Sequence, residues 1–279
     1  MEKLKQLWFD FLESDRNDTW WKRKKELCSK RDVEIIQIKG KGNIFRRTKY
    51  DHKEEVHYLM HLSFLMKQGK HFYLEEKVSP YRFLLDGDTI SKHQEIPAQY
   101  LTDKKLGTIE PDTKRTGERF DYNRMAAVRY AERWWNSYNP EFRQFDVDCT
   151  NYISQCLYAG GAPMRGAPNR NQGWWYQGDN WSFSWAVAHS LRWYLSGSTQ
   201  GLKGREMNSP EELTLGDVIC YDFEGDGRWD HTTIVVAKDA YGMPLVNAHT
   251  DNSRHRYWSY EDSTAWTENI QYKYFKIGE

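Results

Sequence analysis

The sequence contains few cysteines, and no two of them are closely spaced. The four, Cys28, Cys149, Cys156 and Cys220, are spread over a chain of 279 residues. No CxxC motif occurs, which disfavours a zinc site of the usual ligand spacing. Two disulfides are possible by count, but a chain of this length does not require them. We therefore expect reduced thiols and no metal.

The chain also lacks net charge, because 40 basic residues balance 40 acidic ones. A neutral chain has no global electrostatic reason to bind nucleic acid or an anionic membrane surface. We expect neither as a partner, and no feature of the sequence indicates an oligomeric state.

A long apolar run is missing as well. The N-terminus reads Met1-Glu2-Lys3-Leu4-Lys5 and has neither the apolar segment nor the cleavage site of a signal peptide. No stretch approaches the length of a membrane span. As written, the sequence predicts a cytoplasmic protein, or a cell-wall-associated one if a signal was removed or export is non-standard.

Aromatic residues, in contrast, are abundant, with 13 Trp and 18 Tyr. Large rings build cores, and they also line clefts that bind sugars or extended peptides. Both interpretations stay open for individual tryptophans.

Residues 1–100 are predicted to form a small N-terminal domain, a helix packed on an antiparallel sheet. Apolar residues from Leu4 to Leu12 recur at helical spacing, and residues 56–66 alternate at period two, as in a half-buried strand. The basic run 22–25 is interpreted as a solvated helix face. No motif indicates the role of this domain.

Residues 101–119 are polar and aperiodic, which predicts a linker, and residues 120–279 form the predicted C-terminal domain. Asp121 is placed to cap its first helix. The apolar stripe of that helix would contain Tyr122, Met125, Ala126, Tyr130 and Trp134.

The segment Asp148-Cys149-Thr150-Asn151 carries the sharpest chemical signal. The apolar spacing that follows places Cys149 at the start of a helix, with Asp146 or Asp148 as the N-cap. Backbone N–H groups and the helix dipole stabilise a thiolate there, and the same N–H groups can bind an oxyanion. The alternative is a small buried hydrophobic residue.

A catalytic thiolate needs a base, and His231 has the most suitable setting among nine histidines. It opens the β-branched run 231–236, at a sheet rim where we predict that its ring meets the helix N-terminus. A polar residue on the next strand would orient the ring. His249 is favoured, Asn247 follows, and Asp251 is a weaker third option.

These residues occur in one order, together with Gly216-Asp217-Val218. The set resembles the putative amidase domain family, related to the NlpC/P60 cysteine peptidases of the papain-like class, over residues 118–276. The resemblance implies an α+β, papain-like/NlpC-P60-like domain in which the nucleophile helix packs on an antiparallel sheet. It also implies hydrolysis of amide bonds, often in bacterial peptidoglycan stem peptides, with His249 in the third catalytic position.

The implied reaction runs through a thioester and uses no cofactor. The Cys149 backbone N–H would be one oxyanion donor. A stretch rich in Gly, Asn and Ser, residues 168–184, is predicted to form a cleft wall, with core packing as the alternative for its rings. The expected substrate-binding residues are Asp148, Trp174, Trp175 and Trp185.

Three competing interpretations stay open. Residues 222–230 match EF-hand positions one to nine, although Thr233 stands where a bidentate Glu belongs. The domain could instead be a catalytically inactive papain-like module that binds glycan or peptide in an aromatic cleft. It could also be an acyltransferase of the same fold.

Overall fold

The computed structural model describes residues 2–14, 19–97 and 120–278. The predicted linker, residues 101–119, lies outside these ranges. The chain divides into two compact units, Met1–Pro97 with Tyr260–Trp266, and Ala98–Ser259 with Thr267–Glu279. Tyr260–Trp266 therefore groups with unit 1, although the sequence analysis assigned it to the C-terminal domain.

Unit 1 contains two helices and four antiparallel strands that pair in sequence order. The first helix and the sheet were predicted, whereas the second helix was not. The elements are α1 (Glu2–Glu13), α2 (Trp20–Lys30), β1 (Val33–Tyr50), β2 (Lys53–Gln68), β3 (His71–Asp86) and β4 (Thr89–Glu95).

The core of unit 1 follows from the alternation in β2. Every second residue from Val56 to Met66 is buried, because successive side chains of a strand point to opposite faces. These side chains pack with Trp8, Trp20 and Trp21 of the two helices.

The basic run in α2 is not a solvated face throughout, as the sequence analysis had it. Lys24 is buried and pairs with Glu75 and with Asp262, both also buried. Burial alone would lower the pKa of Lys24, but the two carboxylates raise it above its usual value. A buried ammonium is tolerated only when paired in this way.

Unit 2 is also mixed α+β, with helices on an antiparallel sheet of order β11-β10-β9-β8-β12-β7. Its elements are α3 (Arg124–Trp134), α4 (Cys149–Ala159), β5 (Tyr176–Gln177), β6 (Asn180–Trp181), α5 (Phe183–Ala186), α6 (Ala188–Gly197), β7 (Gly204–Met207), a 3₁₀ turn (Pro210–Glu212), β8 (Val218–Asp222), β9 (His231–Lys238), β10 (Pro244–Ala248), β11 (Asn252–Tyr257) and β12 (Gln271–Ile277). No described helix is long and apolar enough to cross a membrane.

Helix α3 starts later than the sequence analysis predicted. Asn123, not Asp121, caps it and accepts a hydrogen bond from the Ala126 N–H at 2.9 Å. Ala127, Val128 and Ala131 are buried and Met125 is half exposed, which makes the predicted stripe wrong in part. Tyr122, Tyr130 and Trp134 of that stripe are partly buried and pack against the core, as predicted.

Helices α3 and α4 both pack on β9. The face of the sheet beneath them carries Val218, Cys220, Ile234 and Val236, which share one core with the helices. Because strand residues alternate, His231 and Thr233 of β9 lie on the other face. This alternation decides where the candidate base points.

Candidate active site

Cys149 is the first residue of α4, at the position that the helical spacing predicts. Its side chain is only 2% exposed. The sulfur lies 3.7 Å from the Thr150 hydroxyl and receives a backbone hydrogen bond from Thr232. Burial raises the pKa of the Cys149 thiol, and these two contacts oppose the rise without cancelling it. The candidate nucleophile is therefore a neutral thiol in this structure.

The N-terminus of α4 is capped from a distant segment. Thr250 Oγ1 accepts hydrogen bonds from the backbone N–H of Asp148 at 2.9 Å and from that of Cys149 at 3.1 Å. Asp148 occupies the N-cap position, but its side chain makes no capping bond. The predicted carboxylate cap is therefore wrong, and the Cys149 N–H expected to bind an oxyanion is taken by Thr250.

The Asp148 carboxylate is committed to local structure. Oδ1 accepts hydrogen bonds from the Phe145 N–H and from the Asn151 amide, both at 2.9 Å. Oδ2 lies 2.8 Å from His249 Nδ1. Asp148 is 2% exposed, so it positions His249 and the loop before α4 and does not present a carboxylate to a substrate, contrary to the sequence-based assignment.

His249 and Asn247 share a face, as predicted, but both point to the helices. His249 Nε2 lies 2.8 Å from the Trp134 carbonyl, so both ring nitrogens are engaged. The Asn247 amide donates to Glu132 at 2.8 Å, and its oxygen accepts from the His255 N–H. Neither side chain orients His231 in this structure, because strand alternation places that ring on the opposite face.

His231 is fully buried, and its ring lies beside Tyr221 and Phe223 with centroids 5.7 and 6.0 Å away. Burial, with the Arg256 charge, lowers its pKa to about 3, so the ring is neutral at pH 7. Its neighbour Thr232 faces α4, with its hydroxyl 3.2 Å from that of Thr150. The thiol thus contacts the residue next to the candidate base. No hydrogen bond joins the sulfur to the imidazole among the described residues.

A small cavity lies beside the thiol. Its volume is about 10 Å³, and its walls come from Val147, Cys149 and Thr150 and from residues 186–189 and 228–230. A space of this size holds about one water molecule, so a substrate cannot reach Cys149 until these segments separate.

Comparison with known proteins identifies the family. A model described as "Putative amidase domain" matches residues 121–275. The chain belongs to this family. The amidase domain thus covers most of unit 2, and membership suggests a hydrolase that acts on amide bonds.

Two Bacillus subtilis (strain 168) proteins are similar to the chain, which indicates a bacterial protein. Uncharacterized protein YhbB is 49% identical over 263 residues, or 91% of this chain and 85% of the relative. Uncharacterized protein YjcM is 29% identical over 140 residues, or 47% of this chain and 31% of the relative. No solved structure matches the chain.

His189 is a second candidate base of the amidase domain that the sequence analysis missed. It lines the same cavity as Cys149, and its Nδ1 accepts from the Trp229 N–H at 3.3 Å. Burial and the nearby charges of Arg228 and Arg192 lower its pKa. No sequence signal singled it out, because it lies within an ordinary helical stripe at the start of α6.

The three tryptophans assigned to substrate binding are core residues. Trp174, Trp175 and Trp185 are at most 1% exposed. Trp174 Nε1 donates to Ser154 at 2.9 Å and Trp185 Nε1 donates to Asn151 at 2.8 Å, both on α4. Trp174 and Trp185 thus anchor α4, whereas Trp175 Nε1 donates to the loop carbonyls of Asn169 and Gln172. The predicted contact with substrate is wrong for this structure because no ring face is accessible.

Glu132 on α3 is the other residue that sequence reasoning missed. Its Oε1 accepts from Asn247 at 2.8 Å and lies 3.1 Å from His255 Nε2, while Oε2 accepts twice from Arg254. Burial would raise the pKa of Glu132, but hydrogen bonds from His255 and Arg254 lower it to about 2. One carboxylate therefore joins α3 to β10 and β11 of the amidase domain.

Three carboxylates of the segment 222–230, for which a calcium loop was the competing interpretation, come together. Ligand oxygens of Asp222, Glu224 and Asp230 lie within 4.8 Å of one another, a set that could hold a cation. Burial and the two neighbouring carboxylates raise the pKa of Asp230 to about 7. The Asp222 carboxylate already accepts three backbone N–H groups of the turn 225–227, and polar turn chemistry accounts for it without an ion.

Proposed function

We propose that the chain hydrolyses an amide bond through a thioester on Cys149, in a papain-like/NlpC-P60-like domain. The observation that carries this proposal is the position of Cys149 at the first residue of α4. A thiolate there is stabilised by the helix dipole and by N–H donors. Membership of the amidase family supports the same reaction class.

The reaction divides into two steps. His231 takes the thiol proton, the sulfur attacks the carbonyl carbon, and the protonated imidazole gives the proton to the leaving amine. Water then attacks the thioester, and the carboxylic acid leaves as Cys149 regains its proton. His189 is the alternative base, since it shares the cavity with the thiol.

Access and activation are coupled in this proposal. Residues 186–189 and 228–230 must separate before a carbonyl can reach the sulfur. The same movement hydrates the thiol and removes the burial that raises the pKa of Cys149. The hydrogen bonds from Thr150 and Thr232, which favour the thiolate, would then dominate.

We infer a peptide substrate, of the kind found in bacterial peptidoglycan stems. Support comes from the resemblance to NlpC/P60 peptidases and from the bacterial relatives. An acyltransferase of the same fold would use the same thioester, and adding an amine nucleophile and analysing the products distinguishes the two reactions.

The test uses two cysteines of the same helix. Cys149→Ala should abolish amine release from soluble peptidoglycan peptides while leaving the circular dichroism spectrum unchanged. Cys156→Ala, two turns along α4 and fully buried, should keep turnover per folded molecule. Undiminished hydrolysis by Cys149→Ala would refute the proposal. His231→Gln and His189→Gln then identify the base, because only one should lose activity to the extent of Cys149→Ala.

One observation favours a second candidate, a catalytically inactive module that binds peptide or glycan. The thiol is buried and its pKa is raised, as in a purely structural cysteine. Iodoacetamide labelling at pH 6 separates the candidates. A catalytic Cys149 reacts faster than Cys156 during transient opening, whereas an inactive module labels the two equally slowly.

A further inference from the structure

Unit 1 contains a cavity whose lining residues all belong to that unit. Its volume is about 690 Å³, within the range of small-molecule sites. Helices α1 and α2, strands β3 and β4 and the segment 264–266 contribute its walls. Five of the lining residues carry large aromatic rings: Trp8, Phe11, Trp20, Tyr81 and Trp266.

Two charged side chains of the wall are already satisfied from within the unit. Arg23 donates to the backbone carbonyls of Glu261 and Ser263 at 2.9 and 2.8 Å. Glu95 accepts from Lys77 at 3.0 Å. Asp10, the third charged residue of the wall, accepts a hydrogen bond from the Gln6 amide at 2.9 Å and keeps its negative charge, so the wall disfavours an anionic ligand.

A relay of hydrogen bonds fixes one donor at the wall. Trp8 Nε1, which can only donate, lies 2.9 Å from the Tyr58 oxygen. That oxygen lies 2.7 Å from His93 Nε2 and keeps its own hydrogen to donate to it. Burial lowers the pKa of His93 to about 4, so the ring is neutral at pH 7, and in the tautomer that accepts from Tyr58 it carries its single proton on Nδ1. His93 lines the cavity.

Trp266 provides a second donor that has no acceptor. Its Nε1 is buried and makes no hydrogen bond with any described residue. Buried donors without a partner are rare in folded proteins. Since Trp266 is one of the lining residues of the cavity, its orphaned N–H is the second donor that we consider for a ligand there.

We propose that this cavity binds a neutral saccharide. Hydroxyl or acetamido oxygens would accept from His93 Nδ1–H and Trp266 Nε1–H. The apolar face of a sugar ring would pack on the aromatic wall. Hydroxyl groups both donate and accept, so they also suit Asp10 and Gln94, two polar residues of the wall.

The test follows the indole N–H signals of the full-length, ¹⁵N-labelled chain by NMR. Trp266→Phe removes one signal and so identifies it. Addition of N,N′-diacetylchitobiose or cellobiose at millimolar concentration should shift that signal, and choline should not. A sedimentation assay with insoluble glycan shows whether the bound sugar ring belongs to a polymer or to a free sugar. Binding in either the NMR titration or the sedimentation assay supports the proposal.

Variants make the proposal specific to this cavity. Trp266→Phe keeps the ring and should weaken saccharide binding about tenfold. Trp258→Phe is the matched control, because Trp258 Nε1 is another buried indole nitrogen without a described partner and lies in unit 2. It should leave binding unchanged, as should Cys149→Ala. Absence of any saccharide-induced shift, equal affinity for Trp266→Phe, or a response to choline alone would overturn the proposal.

Discussion

Thr250 is the residue whose replacement tests the architecture of the nucleophile helix most directly. Its hydroxyl accepts from two buried backbone N–H groups at the start of α4, those of Asp148 and Cys149. Thr250→Val keeps the shape of the side chain and removes the acceptor. Thr250→Ser removes a methyl group and keeps the acceptor.

The loss of stability expected for Thr250→Val follows from these two hydrogen bonds. Loss of an N-cap acceptor costs about 0.5–2 kcal/mol, and a buried N–H left without a partner costs about 1–3 kcal/mol. We therefore expect Thr250→Val to lower the free energy of unfolding of unit 2 by about 2–3 kcal/mol. For a unit of this size that corresponds to a fall in Tm of roughly 4–12 °C.

The backbone at Thr250 adds a second part to the experiment. Its φ is +60°, in the left-handed region that a β-branched residue rarely adopts. Thr250→Gly relieves a strain of about 1–3 kcal/mol but also loses the acceptor, so its stability should lie between those of the Val and Ser variants. Urea unfolding measures all three. If Thr250→Val unfolded within about 0.5 kcal/mol of Thr250→Ser, the assignment of Thr250 as the cap would be wrong.

Two further predictions concern carboxylates. The folded-state pKa of Glu132 is lowered to about 2, so its charge stabilises unit 2 above pH 4.5 and this stabilisation is lost as the pH falls towards 2. Glu132→Gln should lower the free energy of unfolding by about 2 kcal/mol at pH 7 and by clearly less at pH 3. If urea unfolding gave the same loss of stability at both pH values, the assignment would be contradicted. Because backbone N–H groups already occupy the Asp222 carboxylate, we expect millimolar calcium to leave the Tm unchanged; a rise that is abolished by Asp222→Asn would instead favour the calcium-loop interpretation.

Local periodicity predicted the elements that depend on short-range pattern. The start of α4 at Cys149 follows from the apolar residues spaced three and four positions apart after it. The buried face of β2 follows from strict alternation between Val56 and Met66. For the stripe predicted along α3 the same reasoning was right for Tyr122, Tyr130 and Trp134, which pack against the core, and wrong for Met125, which is half exposed. It also selected the wrong one of two polar residues as the cap, Asp121 in place of Asn123.

The polar partners of the site could not be predicted in the same way, because they are tertiary contacts between distant segments. The Thr250 hydroxyl reaches a helix that begins 101 residues earlier in the chain, and Glu132 reaches Asn247 across 115 residues. Each pairing is fixed by the antiparallel order of β9, β10 and β11 beneath the helices. A single sequence does not specify that order.

His231 shows how alternation limits such reasoning. The run 231–236 predicts a buried strand, and every residue in it is buried. Because successive residues of a strand face opposite sides of the sheet, the run is divided between two faces. The sequence does not show which of these faces α4 covers. The helix covers the face of Thr232 and Ile234, so the backbone of Thr232 contacts the thiol while the imidazole turns towards Tyr221 and Phe223. A catalytic pair of Cys149 and His231 therefore requires the start of β9 to rotate. A pair with His189 requires the cavity beside the thiol to widen and one ring nitrogen to be released from the N–H group of Trp193 or Trp229. The two histidine variants thus report on the kind of motion that activates the domain as well as on the identity of the base.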